Sequence, residues 1–285
     1  MTFIQHTGSR GRHGVPCNRG LRFGRLVQIG RGFQNEAINR PAKRKRVSHT
    51  TLPARTPTIL IIGASRGLGY AMAAAFLTKG WNVIGTVRAG NHPTLLHALA
   101  DANPRRVEID TVDITRPDEI DALRARLSDR RYDILFVNAG TTNPDPTQTI
   151  GEVSTVDFVD LMIVNALSPM RVVERLSDLV PADGLIGVMS SGQGSIADNE
   201  SGQREVYRGT KAALNQFMRS FAARQAKTQR AMLLMAPGWV RTDLGGPEGR
   251  LSIEESVPGI VEVLLAKQGR PGLEFLDYHG RTVRW

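Results

Sequence analysis

The sequence predicts an α/β protein built on a doubly wound parallel sheet, and three observations carry that expectation. Residues 59–62, Ile-Leu-Ile-Ile, form an aliphatic run without polar alternation, which suits a strand covered on both faces. The run passes directly into a turn spaced by Gly63, Gly67 and Gly69 and then into an alanine-rich helical segment. From there strand-like and helix-like stretches alternate six or more times, a pattern that gives parallel pairing with right-handed crossovers.

Taken in order, the helix after the turn spans about 68–79 and is ended by Gly80, and 82–87 reads as a second strand closed by Arg88. A helix over about 93–101 leads to a third strand at 107–110. Asp113 follows, then a helix opening at Thr115-Arg116-Pro117, where proline at the first turn loses nothing by its missing N–H. A fourth buried strand, 133–137, ends in Asn138-Ala139-Gly140. Next come a long helix over about 156–179, a strand at 185–189, a helix over 207–226 and a strand at 231–235. No internal repeat is present and no linker follows Pro57. The glycine-rich or polar strand ends therefore collect on one edge, where ligands of open α/β sheets bind. They are 63–69, Arg88, Asp113, 138–140, Ser190 with Ser191, and Pro237-Gly238.

The glycine turn implies a phosphate. Glycines lack Cβ atoms where the chain turns sharply and another group comes close, and the following helix aims free N–H groups and its positive dipole end at the same spot. The spacing is glycine, three residues, glycine, one residue, glycine, so it is neither the G-x-G-x-x-G fingerprint nor a P-loop with a Lys-Ser/Thr ending. Taken alone it also fits a tight strand-to-helix turn with no ligand.

At 285 residues, with 41% hydrophobic and 22% charged, the composition is that of an ordinary globular protein with a sizeable core. The net charge of +10 is concentrated: residues 1–57 carry 12 of the 37 basic residues and one of the 27 acidic ones, which leaves 25 against 26 in the remainder. The folded part is thus close to neutral, and the basic pI gives no nucleic-acid signature for the domain. Residues 1–57 are expected to be a disordered extension, with seven glycines, few large apolar residues and a 43–46 Lys-Arg cluster. That cluster is read as solvated, with a nucleic-acid arm or nuclear signal as the alternative. The extension has no apolar h-region and little amphipathic periodicity, so a cytoplasmic location is expected, with mitochondrial targeting as the lesser alternative. No apolar stretch reaches 18 residues, so no membrane association is expected. Cys17 is the only cysteine, which excludes a disulfide framework within the chain.

Tyr207 and Lys211 stand four apart at a helix start and share a face. A nearby ammonium stabilises a phenolate, so the pair could exchange protons, although the same spacing also describes a solvated face. The six histidines have no ligand spacing and no metal is expected. Asp118-Glu119 and Glu254-Glu255 read as first-turn helix acids and the methionines as core filling.

Six motifs occur in an order and spacing that resemble the short-chain dehydrogenase/reductase family. They are IIGASRGLG, VNAG at 137–140, Asn165 in IVNAL, Ser190-Ser191, YRGTK at 207–211 and PGWVRT at 237–242. The similarity covers nearly all of 58–285, and GSIADNESG, PGWVRTDLGGP and FLDYHGRTVRW are similar to the C-factor and sniffer-type carbonyl reductase branch. The resemblance implies one NAD(P)-binding domain over 58–285 with a Rossmann-type sheet of about seven strands. Tyr207 would be the general acid or base, Lys211 would depress its pKa and bind the nicotinamide ribose, Ser191 would hold the substrate oxygen, and Asn165 would anchor a water leading to Lys211. Ser191 is preferred to Ser190 because it stands three before Gly194, although its gap to Tyr207 is longer than the family's common one. YRGTK also departs from the usual tyrosine-x-alanine-serine-lysine.

Cofactor contacts would come from Gly63, Ser65, Arg66, Gly67, Leu68, Gly69, Arg88, Asp113, Ile114, Asn138, Ala139 and Gly140. Tyr207, Lys211, Pro237, Gly238, Val240 and Thr242 would complete the set. Arg88 and Arg66 stand where a 2′-phosphate wants cations, so NADP is preferred, with NAD possible. The expected activity is hydride transfer between nicotinamide and a small-molecule carbonyl or alcohol, by a homodimer or homotetramer. The alternative is a non-catalytic NADP-binding regulatory or developmental signalling protein.

Overall fold

The computed structural model describes residues 55–90 and 92–285. Seven strands lie in one sheet: β1 (Thr58–Ile62), β2 (Asn82–Val87), β3 (Val107–Thr111), β4 (Ile134–Val137), β5 (Leu185–Met189), β6 (Ala231–Ala236) and β7 (Gly272–Asp277). Every pairing is parallel and the order is β3-β2-β1-β4-β5-β6-β7. From β1 the chain winds outward through β2 to β3, then returns to place β4 on the other side of β1. The order reverses between β1 and β4, which opens a crevice beyond their carboxyl ends.

The helices are α1 (Gly67–Thr78), α2 (Leu95–Ala102), α3 (Pro117–Arg126), α4 (Thr155–Met162), α5 (Ser168–Leu176), α6 (Glu205–Arg224) and α7 (Ile253–Lys267). They cover both faces of the sheet. Successive strand residues point to opposite faces, so Leu60, Ile62, Leu135 and Val137 pack with Val172, Val173, Leu214 and Met218 of α5 and α6. Ile59, Ile61, Ile134 and Phe136 pack instead with Met72 and Phe76 of α1 and Ile260 and Leu264 of α7. This is why the strands read as unbroken apolar runs: all five residues of β1 are buried, and each large aliphatic side chain so buried contributes about 1.5–3 kcal/mol.

Two expectations are corrected. The fourth strand starts at Ile134, because the Asp133 carboxylate accepts from the Thr58 amide at 2.7 Å and from Arg55 at 2.7 and 2.8 Å. The long helix over 156–179 is not continuous: a π-helical turn, Ile163–Leu167, separates α4 from α5, and a 3₁₀ turn, Ser177–Leu179, ends it. The Ser252 hydroxyl and the Glu255 side chain close a reciprocal cap at the start of α7. The expected disorder of the basic extension concerns residues that, apart from 55–57, lie outside the described ones. No helix among the described residues is long and apolar enough to cross a membrane.

Candidate active site

The glycine turn leaves β1 at the crevice. Gly63 has φ +89, and a Cβ there would stand 2.9 Å from the Ala139 nitrogen. Gly67, the first residue of α1, has φ +56. At Gly69 a Cβ would meet the Gly63 carbonyl oxygen at 2.1 Å and Asn138 Nδ2 at 2.6 Å, so the third glycine is required by the packing of α1 on the turn. Thr86 Oγ1 accepts from the Gly63 amide at 3.0 Å and Asn138 Nδ2 donates to the Gly63 oxygen at 2.7 Å. Arg66, the residue before α1, provides no side-chain cap, and the first turn holds no acid, so the first N–H groups of this helix fit an incoming anion. The Asn138 side chain is committed to the turn, and Leu68 packs into the apolar layer beside α1.

The loop leaving β6 meets this turn from the other side. Thr242 Cγ2 lies 3.9 Å from where a Gly67 Cβ would be, and the exposed Arg66 pairs with Asp243 at 2.9 Å. The Pro237 oxygen accepts from Ser256 at 2.7 Å, Gly238 has φ +84, and Val240 is buried against Leu251. At the far end of the crevice Arg88 is exposed just past β2. Burial pushes the Asp113 carboxyl up, but bonds from the Thr115 hydroxyl and amide, together with positive Arg88 and Arg116, outweigh it and hold the group below its ordinary 3.8. Ile114 beside it is buried.

Tyr207, Lys211, Ser191 and Asn165 converge beyond β4 and β5. Tyr207 and Lys211 rise from the first turns of α6, at 8% and 4% exposure. Lys211 Nζ donates to the Met189 oxygen at 3.0 Å, at the end of β5, and lies 5.8 Å from the Tyr207 ring centre. Asn165 sits in the π turn and is fully buried. Its Oδ1 accepts from the Thr141 amide at 2.8 Å, and its Nδ2 donates to the Thr141 oxygen at 2.9 Å and to Thr210 Oγ1 at 3.1 Å. A Cβ on Gly140 would stand 3.3 Å from Asn165 Oδ1 and 3.6 Å from Lys211 Nζ, so this glycine lets the two polar ends approach.

Ser190 and Ser191 part company. Ser190 Oγ is buried and donates to Asn215 Oδ1 at 2.6 Å, whereas the half-buried Ser191 caps a 3₁₀ turn, Gly192–Gly194, and faces Tyr207. The expected depression of the tyrosine by Lys211 is not what the site produces. Burial pushes the Tyr207 hydroxyl above its ordinary 10, and the opposing pulls come from Ser191 and from Arg204, whose guanidinium lies 5.7 Å from the ring centre. Lys211 gives its hydrogen bond to the Met189 carbonyl, with its ammonium 5.8 Å from the Tyr207 ring centre.

Arg204 was not singled out in the sequence. It is the only described non-glycine residue with positive φ, at +60, immediately before α6. Thr86, Thr210 and Asn215 were also missed, since a polar residue inside a strand or helix carries no signal until its partner is known. Among the described residues no three or more His, Cys, Asp or Glu side chains are grouped to hold a metal. An apolar depression of about 600 Å³ between α5 and α6, lined by Leu167, Met170 and Phe217, contains none of these site residues.

Burial pulls Lys211 from 10.5 down to about 8. Between those values the unfolded chain holds a proton that the folded site has released, so stability rises with pH. The penalty is present in full below about 8 and on the order of 3 kcal/mol of it is relieved toward 10.5. Thermal melts of the nucleotide-free protein should therefore show a melting temperature that climbs from pH 8 to 10 relative to Lys211→Met, in which position 211 no longer titrates. Parallel curves for the two proteins would refute the shift.

Fold and site together define a parallel α/β protein whose tyrosine, lysine, serine and asparagine gather beyond the strand ends, next to a glycine turn suited to phosphate. The family model described as short chain dehydrogenase matches residues 57–250, and the chain belongs to that family of oxidoreductases. A solved short-chain dehydrogenase/reductase from Burkholderia multivorans with bound NADP is 76% identical, with a TM-score of 0.80, covering 81% of this chain and 100% of that one. A carbonyl reductase from Pseudomonas aeruginosa PAO1 in complex with NADP is 34% identical over the same shares, with a TM-score of 0.74. C-signal of Myxococcus xanthus is 33% identical over 155 residues, 54% of this chain and 92% of that protein.

Proposed function

We propose that the protein reduces a small-molecule carbonyl to an alcohol, or runs the reverse reaction, with NADP as the preferred cofactor and NAD as the lesser one. The observation that carries this reading is a buried Tyr207 hydroxyl facing Ser191, with Lys211 one turn behind it on α6. When bound, the nicotinamide would supply or accept the hydride. Ser191 holds the substrate oxygen, and Tyr207 gives that oxygen a proton as the carbonyl becomes an alcohol, or takes it back in the reverse direction. A phenol held above its ordinary pKa keeps its proton at neutral pH, which suits the reductive direction. Lys211 would bind the nicotinamide ribose, and Asn165 fixes the Thr141 backbone and keeps Thr210 in place beside the lysine.

Ser65, Gly67, Leu68 and Gly69 would present the start of α1 to the pyrophosphate, with Gly63 allowing its close approach. Arg66 and Arg88 would take the 2′-phosphate, Asp113 and Ile114 the adenine, and 138–140 the adjoining ribose. Pro237, Gly238, Val240 and Thr242 would wall the nicotinamide. Arg88 stands exposed at the end of β2, so Arg88→Asp should move the NADPH/NADH ratio of kcat/KM toward NADH by at least tenfold, about 1.4 kcal/mol. An unchanged ratio would remove Arg88 from the cofactor assignment.

The reading is tested by NADPH oxidation against a panel of aldehydes, ketones and quinones. Turnover of at least one is expected. NADPH binding without any turnover would favour a regulatory role instead, a possibility raised by the likeness to C-signal.

A further inference from the structure

The face of α6 that carries Tyr207 and Lys211 continues for one more step. Residues 207, 211 and 215 are spaced by four, so they form one stripe along the helix. Each meets the chain leaving β5. Tyr207 faces Ser191, Lys211 Nζ donates to the Met189 oxygen at 3.0 Å, and Asn215 reaches past both serines. Asn215 is 3% exposed. Its Oδ1 accepts from Ser190 Oγ at 2.6 Å and its Nδ2 donates to the Gly194 oxygen at 3.2 Å. The residue before Ser191 and the residue three after it are thus held by a single side chain.

The turn between them has no slack. A Cβ on Gly194 would lie 2.9 Å from Asn215 Nδ2 and 3.0 Å from Lys211 Cβ, so the turn rests directly on the helix between those two residues. Within the turn, Ser191 Oγ accepts from the Gln193 amide at 3.1 Å, the Gly194 amide donates to the Ser191 oxygen at 2.9 Å, and the Ser195 amide donates to the Gly192 oxygen at 3.1 Å. Beyond it the chain runs on to Arg204 before α6 begins, held on the way by the Ala197 amide donating to the Trp285 oxygen at 3.0 Å and by Arg284 on Asp198, contacts that do not touch the turn itself.

We propose that Asn215 is a positioning residue for Ser191: by clamping Ser190 and Gly194 to the helix that carries Tyr207, it fixes the serine hydroxyl against the tyrosine hydroxyl. This rests on the reading above in which Ser191 holds the substrate oxygen. Both clamped groups are buried, so neither can replace Asn215 with water without moving. A displacement of the supporting residues passes directly to the two hydroxyls that must meet one substrate atom. Asn215 is buried with both ends of its side chain bonded within the protein, so it acts through Ser191.

Asn215→Asp keeps an acceptor for Ser190 and removes the donor to Gly194, so it opens one arm only. Ser190→Ala opens the other. For Asn215→Asp we expect kcat to fall about 10- to 100-fold with the NADPH Kd, read from nucleotide fluorescence, within twofold of wild type. In the Ser191→Ala background the same change should cost almost nothing further, because the group it positions is gone. Hydrogen exchange of the Gln193, Gly194 and Ser195 amides should speed up in Asn215→Asp, while amides of β1 and β4 keep their protection. Losses that multiply in the double variant, a parallel loss of NADPH affinity, or unchanged exchange in the turn would each overturn the proposal. Wild-type protein that binds NADPH but turns over no carbonyl would remove the catalytic reading, and the exchange measurement would then decide by itself whether Asn215 holds the turn. If Asn215→Asp does not fold, Ser190→Ala carries the same three readings.

Discussion

Tyr207→Phe should lower kcat for carbonyl reduction by about 1,000-fold while leaving the NADPH Kd within twofold. The magnitude is that of losing a positioned general acid, about 10²- to 10⁴-fold. The selectivity follows from what remains: the ring keeps its place under Arg204, 5.7 Å away, and beside Lys211, 5.8 Å away, and only one oxygen is removed. That oxygen is the group burial holds in its protonated form, so no compensating charge is lost at neutral pH. Single-turnover reduction of the best aldehyde on the panel, with binding measured separately, separates the two quantities. A loss below about tenfold would show that the proton comes from elsewhere, and a matching loss of nucleotide affinity would show that the substitution had damaged the crevice instead.

Gly69→Ala should be more damaging than any single change at the surface of the site. The added carbon would stand 2.1 Å from the Gly63 oxygen and 2.6 Å from Asn138 Nδ2, and the first of these is backbone that cannot swing aside. Either α1 moves away from the turn or the turn distorts, at a cost of about 3 kcal/mol. For a domain of this size that is a fall in melting temperature of about 6–12 °C. Because the same movement displaces the first N–H groups of α1 from the phosphate position, nucleotide affinity should fall by at least tenfold even at temperatures where the variant is fully folded. Alanine at Gly80, where nothing lies within 4 Å, is the control: its φ of +88 makes it strained but it leaves the crevice alone. Equal nucleotide affinity in the two variants would separate the third glycine from binding.

The sheet was readable because burial on both faces imposes a composition. Ile59 and Ile61 must satisfy one apolar layer and Leu60 and Ile62 the other, so the four residues after Thr58 in β1 are all aliphatic. The glycine turn was readable for a related reason, since backbone approaches as close as that at Gly69 exclude every other residue. Lys211 was placed correctly on the same face as Tyr207, but its effect on the phenol was not legible, because a four-residue spacing does not say that the ammonium will prefer the Met189 carbonyl. The choice of Ser191 over Ser190 rested on a resemblance and receives a physical reason only from Asn215, which occupies the Ser190 hydroxyl. Asn165 likewise gave no periodic signal of its own. An amphipathic pattern across 156–179 is indifferent to how the hydrogen bonds of one turn are arranged.

That turn makes the length of the α4–α5 segment a property the protein cannot trade. A π turn accommodates one residue more than the regular helices on either side would use. Deleting any one residue from Ile163–Leu167 would let the segment heal into a single α-helix whose two flanks keep nearly the same phase, because the extra residue is what the wide turn absorbs. Val172, Val173 and Leu176 would keep their place in the core, while Asn165, which the wide turn presents, would lose its grip on Thr141 and Thr210. The extra residue of this stretch therefore belongs to the crevice and not to the core: a deletion that the apolar packing would tolerate would still take Asn165 away from its partners.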